Sequence, residues 1–139
     1  GSPTSDFRSR LVVRRTDVSP ADTTRGTLAF RVDVDNLGAA AWPASGEVGQ
    51  RMPAVALGYY WLRAGDGHRL AEQRVALPYS LSPGEHWSTA MVFDLDAQPL
   101  RQLPAGEYEV HVGLVLDGVA WFSDRGEAGV TIPMTLTAR

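Results

Sequence analysis

Apolar residues recur at every second position through most of this chain, which is the period of a β-strand and not of a helix. Leu28, Phe30, Val32 and Val34 alternate with Ala29, Arg31, Asp33 and Asp35 up to a turn signal at Asn36-Leu37-Gly38. Val55, Leu57, Tyr59 and Trp61 form a second set, closed by Gly65-Asp66-Gly67. A short strand is expected over 75–77, ended by Pro78, with Ser82-Pro83-Gly84 as the following turn. Trp87, Thr89, Met91, Phe93 and Leu95 then share one face, opposite His86, Ser88, Ala90, Val92 and Asp94. The clearest run sets Tyr108, Val110, Val112, Leu114 and Leu116 against Glu107, Glu109, His111, Gly113 and Val115. Asp117-Gly118 reads as a two-residue hairpin, because both positions tolerate positive φ. The return strand is expected over 119–123 and a last one over 130–136.

Only 97–103 could form a helical turn or two, between flanking prolines. Short strands with a turn every eight to twelve residues predict an all-β fold, an immunoglobulin-like antiparallel β-sandwich of seven to nine strands. Trp61 is in phase with the apolar face of its strand, where such sandwiches bury an indole between the sheets. Tyr108 opens the longest strand, where a tyrosine corner returns its hydroxyl to the preceding loop. A chain of 139 residues suits one domain. Residues 1–8 read as a flexible tail whose Gly-Ser-Pro start is a cloning remnant, and 9–139 as the single sandwich, cut from a larger parent protein.

The chain has no cysteine, which excludes disulfides, thiolate zinc sites, iron–sulfur clusters and thiol catalysis. A net charge of −3 gives no footprint for nucleic acid. No apolar run approaches a membrane span of about 20 residues, so membrane insertion is not expected. Nucleophile elbows, phosphate loops, dinucleotide fingerprints and zinc-protease motifs are missing, so the chain reads as a non-enzyme without cofactors. His68, His86 and His111 fall on different expected elements and read as three solvated or edge histidines. Asp33/Asp35, Asp94/Asp96 and Glu107/Glu109 stand two apart on strands and project side by side. Such pairs could hold a structural calcium ion or place an acid and a base on a sugar; equally they are the solvated face of a sandwich, and no metal is expected.

Aromatic residues are the remaining candidates. The phases put Trp61 and Trp87 inward, and Trp42-Pro43 plugs one end of the sandwich. A two-residue hairpin would set Leu114 opposite Trp121 and Gly113 opposite Phe122, sending Trp121 into the core and Phe122 outward over a groove left by the glycine. With Tyr60 and His111 on the same face, and Arg74, Asp124 and Arg125 nearby as hydrogen-bonding groups, this makes a candidate ligand-binding surface. A glycan is one occupant; a second module, a partner protein or a second copy in a homodimer is the other.

Phe30-x-Val32-x-Val34-x-Asn36-x-Gly38 followed by Trp42-Pro43 resembles the entry of bacterial immunoglobulin-like modules. Val55-x-Leu57-Gly58-Tyr59-x-Trp61, Leu77-Pro78, Leu81-x-Pro83-Gly84-Glu85, Gly106-x-Tyr108-x-Val110 and Leu114-Val115-x-Asp117-Gly118-Val119-x-Trp121-Phe122 continue the likeness. The pattern is similar to accessory β-sandwich domains of bacterial glycosyltransferases. It is also similar to the carbohydrate-binding domains of polysaccharide-export subunits. The resemblance implies a non-catalytic module that engages a glycan or its carrier enzyme, with a cytoplasmic location; it leaves an extracellular or periplasmic one open. A more distant resemblance is to the four-tryptophan immunoglobulin-like domain of autophagy receptors, which binds proteins; the 118–126 ending departs from that pattern.

Overall fold

The computed structural model describes residues 6–16, 26–45, 53–127 and 129–138. Over them run β1 (Ser9–Arg15), β2 (Thr27–Asn36), β3 (Val55–Arg63), β4 (Arg69–Ala76), β5 (His86–Asp94), β6 (Gly106–Leu116), β7 (Ala120–Trp121) and β8 (Val130–Leu136). One sheet has the order β1-β2-β5; the other runs β4-β3-β6-β7, with β8 also paired to β6. All pairings are antiparallel. The expected immunoglobulin-like sandwich is present, and 97–103 contributes only a short 3-10 turn at Leu100–Gln102.

The alternation decides the layers. Leu28, Phe30, Val32 and Val34 of β2 face Val55, Leu57 and Trp61 of β3 and the inward residues of β6 in one core. Burying each such side chain is worth about 1.5–3 kcal/mol. Trp61 sits among edge-on rings, with centroids at 5.4 Å from Phe93 and 6.0 Å from Tyr108. Trp87 lies on the inward side of β5 but is only partly buried, β5 being the last strand of its sheet among the described residues. The Tyr108 hydroxyl donates to the Pro104 carbonyl at 2.7 Å, so the tyrosine corner is formed.

Much of the Asn-x-Gly…Trp pattern is structural. Asn36 is fully buried; its amide donates to the carbonyls of Ala40 and Leu81 and accepts from the Gly38 N–H. Those bonds satisfy a polar group that would otherwise be costly to bury. Trp42 is equally buried and bridges Leu81, closing one end of the sandwich as expected.

Two regions differ from the sequence reading. The strand expected over 75–77 begins at Arg69, because an edge strand rich in charge hides its alternation. More consequential is the turn after β6. Leu116 pairs with Ala120 and Val115 with Trp121, so the loop holds three residues, Asp117, Gly118 and Val119, with Gly118 at φ 76°. Three-residue loops of this kind place a residue in the left-handed region, which Asp-Gly supplies as readily as it supplies a two-residue turn. One added residue reverses every side chain that follows. Phe122, expected outward, is 2% exposed in a 3-10 turn, with its ring edge-on to Trp42 and Phe7. Trp121, expected in the core, lies on the outer face instead.

Asp6 and Phe7, assigned to the tail, are both engaged. Phe7 covers Phe122 at 5.0 Å, while the Asp6 carboxylate accepts from Arg8 and from the Ala39 N–H. The Arg8 hydrogen bond, then the backbone N–H groups of Ala39 and Arg8, hold the Asp6 carboxyl well below the usual carboxylate range.

Candidate functional site

The outer face of the β4-β3-β6-β7 sheet is organised around Trp121. Gly58 of β3 stands directly opposite Gly113 of β6, so two neighbouring strands expose backbone at one spot. The indole of Trp121 lies on that platform. A Cβ at Gly58 would come within 2.7 Å of its Cη2, and one at Gly113 within 3.3 Å of its Cε3. Beside it, Tyr60 meets the indole edge-on at 5.3 Å and stacks on its cross-strand partner His111 at 5.1 Å and 7°.

Arginines from the edge strand β4 complete the arrangement. The Arg69 guanidinium carbon is 4.3 Å from the Tyr60 centroid and 5.3 Å from that of Trp121, and Arg74 is 4.9 Å from the Trp121 ring. Cations over electron-rich rings are attracted by about 0.5–1 kcal/mol each at exposed sites. Their charge is shared with Glu72, 3.4 Å from Arg69 and 3.1 Å from Arg74, and with Asp117 at 3.6 Å from Arg74. His111 contacts Glu109 at 3.1 Å. Two shallow clefts use the indole as a common wall. One, of about 160 Å³, is lined by Tyr60, His111, Gly113, Ser123 and Thr131; the other, of about 240 Å³, by Arg74, Asp124, Gly118, Val119 and Ala120.

Of the six residues expected to form a binding surface, the structure thus gathers Tyr60, Arg74, His111 and Asp124 around Trp121. Phe122 points inward, and Arg125 sits 5.7 Å from the Phe7 ring instead. Sequence reasoning missed Trp121 and Arg69. The usable signal was the pair Gly58 and Gly113, outward positions of adjacent strands that together open a space as broad as an indole.

The opposite sheet carries a polar network. His86 Nδ1 lies 2.9 Å from Asp35 and its Nε2 2.9 Å from Ser88 Oγ, an order reminiscent of a hydrolase triad. The Ser88 hydroxyl, however, donates to Asp33, which also holds Arg31 at 3.1 Å. That serine is tied up by a carboxylate rather than poised for attack. The hydrogen bond from Ser88, then the Arg31 guanidinium, lower the Asp33 pKa from 3.8 to about 2. Asp94, in turn, accepts from the Asp96 N–H. Among the described residues, no three histidine or carboxylate side chains are grouped to hold a metal ion, and no helix is long and apolar enough to cross a membrane.

No protein-family model and no curated protein matches the chain. Solved structures do resemble it in shape. The CARDB domain of a Pyrococcus furiosus protein, determined in complex with di-metal ions, aligns over 94% of this chain and 88% of its own, with a TM-score of 0.54 and 13% identity. A solution structure of the same domain aligns over 93% and 94%, with a TM-score of 0.54 and 14% identity. A β-glucosidase from Listeria innocua in complex with isofagomine matches 94% of this chain with 16% of its own length, at a TM-score of 0.50 and 14% identity. At such identities the likeness is one of fold.

Proposed function

We propose that this chain is a non-catalytic carbohydrate-binding module, of the kind appended to bacterial glycosyltransferases and surface-polysaccharide export proteins, and that it acts in the cytoplasm. The observation that carries the reading is Trp121 set on the Gly58/Gly113 platform, with Tyr60, His111, Arg74 and Asp124 around it. An indole offers a flat apolar surface to the C–H face of a pyranose, while a few fixed polar groups orient the hydroxyls. Arg69 and Arg74 have side chains 45% and 29% exposed, so their guanidinium groups can turn from the rings to donate to a sugar.

Calorimetry against bacterial polysaccharide fragments tests the assignment. The wild-type protein should bind at least one fragment, and Trp121→Ala should abolish binding while melting cooperatively. Binding that survives Trp121→Ala unchanged would discard the site. A second reading, protein recognition through the same face, is supported by the two arginines stacked on Trp121 and Tyr60, since Trp, Tyr and Arg are the side chains that dominate protein interfaces. Absence of glycan binding together with a protein partner lost in Trp121→Ala would favour it.

A further inference from the structure

The sheet edges of this molecule are not alike. Exposed edges invite pairing with another strand, and proteins discourage it with bulges, prolines, charge or brevity. β4 loses register with β3 between the pairs Tyr59–Gln73 and Trp61–Leu70 and has Ala71 at φ 52°. β8 contains Pro133, β1 presents Arg10, Arg14 and Arg15, and β7 is two residues long. β5 has none of these devices. It is nine residues long, ends its sheet among the described residues, and from Trp87 to Phe93 bears neither charge nor proline.

β5 is also complementary to itself. Laid antiparallel on a second copy about a two-fold axis at Ala90, His86 faces Asp94, Trp87 faces Phe93, and Ser88 faces Val92, each pair on one side of the extended sheet. A cleft of about 190 Å³ lies beside Phe93, walled by Tyr59, Trp61 and Ala71 of the opposite sheet and by Pro99 and Leu100. In that pairing the side chain reaching the cleft is Trp87 of the second copy, an indole only partly buried in its own. Knob and cleft sit on one strand, so a single two-fold engages both twice, as a closed isologous interface requires.

We infer that two copies of this chain associate through β5, antiparallel about Ala90, joining their β1-β2-β5 sheets into one six-stranded sheet with each Trp87 seated in the other copy's cleft. The surface around Trp121 belongs to the other sheet and stays open.

Ala90 is exposed on the outer face, so charged side chains there leave the core intact. Sedimentation of the wild-type protein at roughly 200 µM, enough to populate a dimer of micromolar dissociation constant, should give the mass of two chains. Ala90→Arg and Ala90→Glu each set like charges against each other at the axis and should weaken association about tenfold or more. Mixed in equal amounts, the two variants should associate again as a heterodimer. A monomeric wild-type protein overturns the proposal, as does an Ala90→Arg variant that dimerises like wild type or a mixture that fails to recover. A β5 that pairs only with a strand of some other protein would appear as the first of those outcomes.

Discussion

The two outer sheet faces rest on the same strand alternation and yet differ in chemistry. On β2 and β5 the cross-strand neighbours are Asp33 with Ser88 and Asp35 with His86, and these groups bond to one another and to Arg31. On β3 and β6 they are Gly58 with Gly113 and Tyr60 with His111. The first pair leaves bare backbone where a ring can lie. A polar face closed on itself commits its hydrogen bonds internally, whereas glycines opposite one another keep a place for a flat side chain and the groups around it. Two missing side chains, rather than added chemistry, distinguish the candidate site.

The largest effect should come from beneath the aromatic face. Phe122 joins Trp42 and Phe7 directly after Trp121, and so anchors the end of β7. Phe122→Ala should cost about 3–5 kcal/mol, well beyond the ±0.5 kcal/mol usual for surface changes. Urea unfolding measures it; a loss under 1 kcal/mol would mean that the ring is not where the three-residue loop puts it. Trp121→Ala should cost less than Phe122→Ala, because the indole is only half-buried, and should remove binding, which separates the inward neighbour from the outward one.

Gly58→Ala sharpens the contrast at the next level. The added Cβ would stand 2.7 Å from Trp121 Cη2 and 2.8 Å from Val115 Cγ2, so the indole has to lift. A cost of about 1–3 kcal/mol is expected, as for overpacking elsewhere, together with loss of glycan binding. The matching change on the polar face, Ala29→Gly or Ala90→Gly, should leave binding unaltered. Near-UV circular dichroism and calorimetry of the same samples decide whether the platform or the mere presence of Trp121 is what counts.

How far the sequence could be read follows from the same two residues. Period-two spacing is a property of the strands themselves, and it placed Trp61 inside, Tyr60 and His111 outside, and Tyr108 at its corner. Loop length is settled by how chain ends meet in space, and Asp117-Gly118 is compatible with two geometries that differ by one residue. That single residue exchanged the places of Trp121 and Phe122, so the sequence reading built its candidate surface around a ring that the fold turns inward. Arg69 escaped notice for a different reason. It belongs to an edge strand whose exposure suppresses the alternation that revealed the others.

The smallest effect belongs to the polar face and appears only in acid. Asp33 has its carboxyl lowered from 3.8 to about 2, first by the Ser88 hydroxyl and next by Arg31. A carboxyl that ionises more readily folded than unfolded favours the folded state once both are ionised. Its contribution is therefore complete above the ordinary carboxylate value and is lost as the pH falls from about 4 toward 2. Asp6, lowered by Arg8 and by backbone N–H groups, adds a loss of the same sign, so the wild-type curve alone cannot isolate Asp33. Ser88→Ala removes the first cause while keeping the carboxyl, and Asp33→Asn removes the titration. Urea midpoints followed across that interval should fall less steeply in both variants than in wild type, while glycan binding near neutral pH stays the same. Parallel curves for all three proteins would mean that the Ser88 bond does not hold Asp33 ionised, and the polar face would lose its claim to be a closed network.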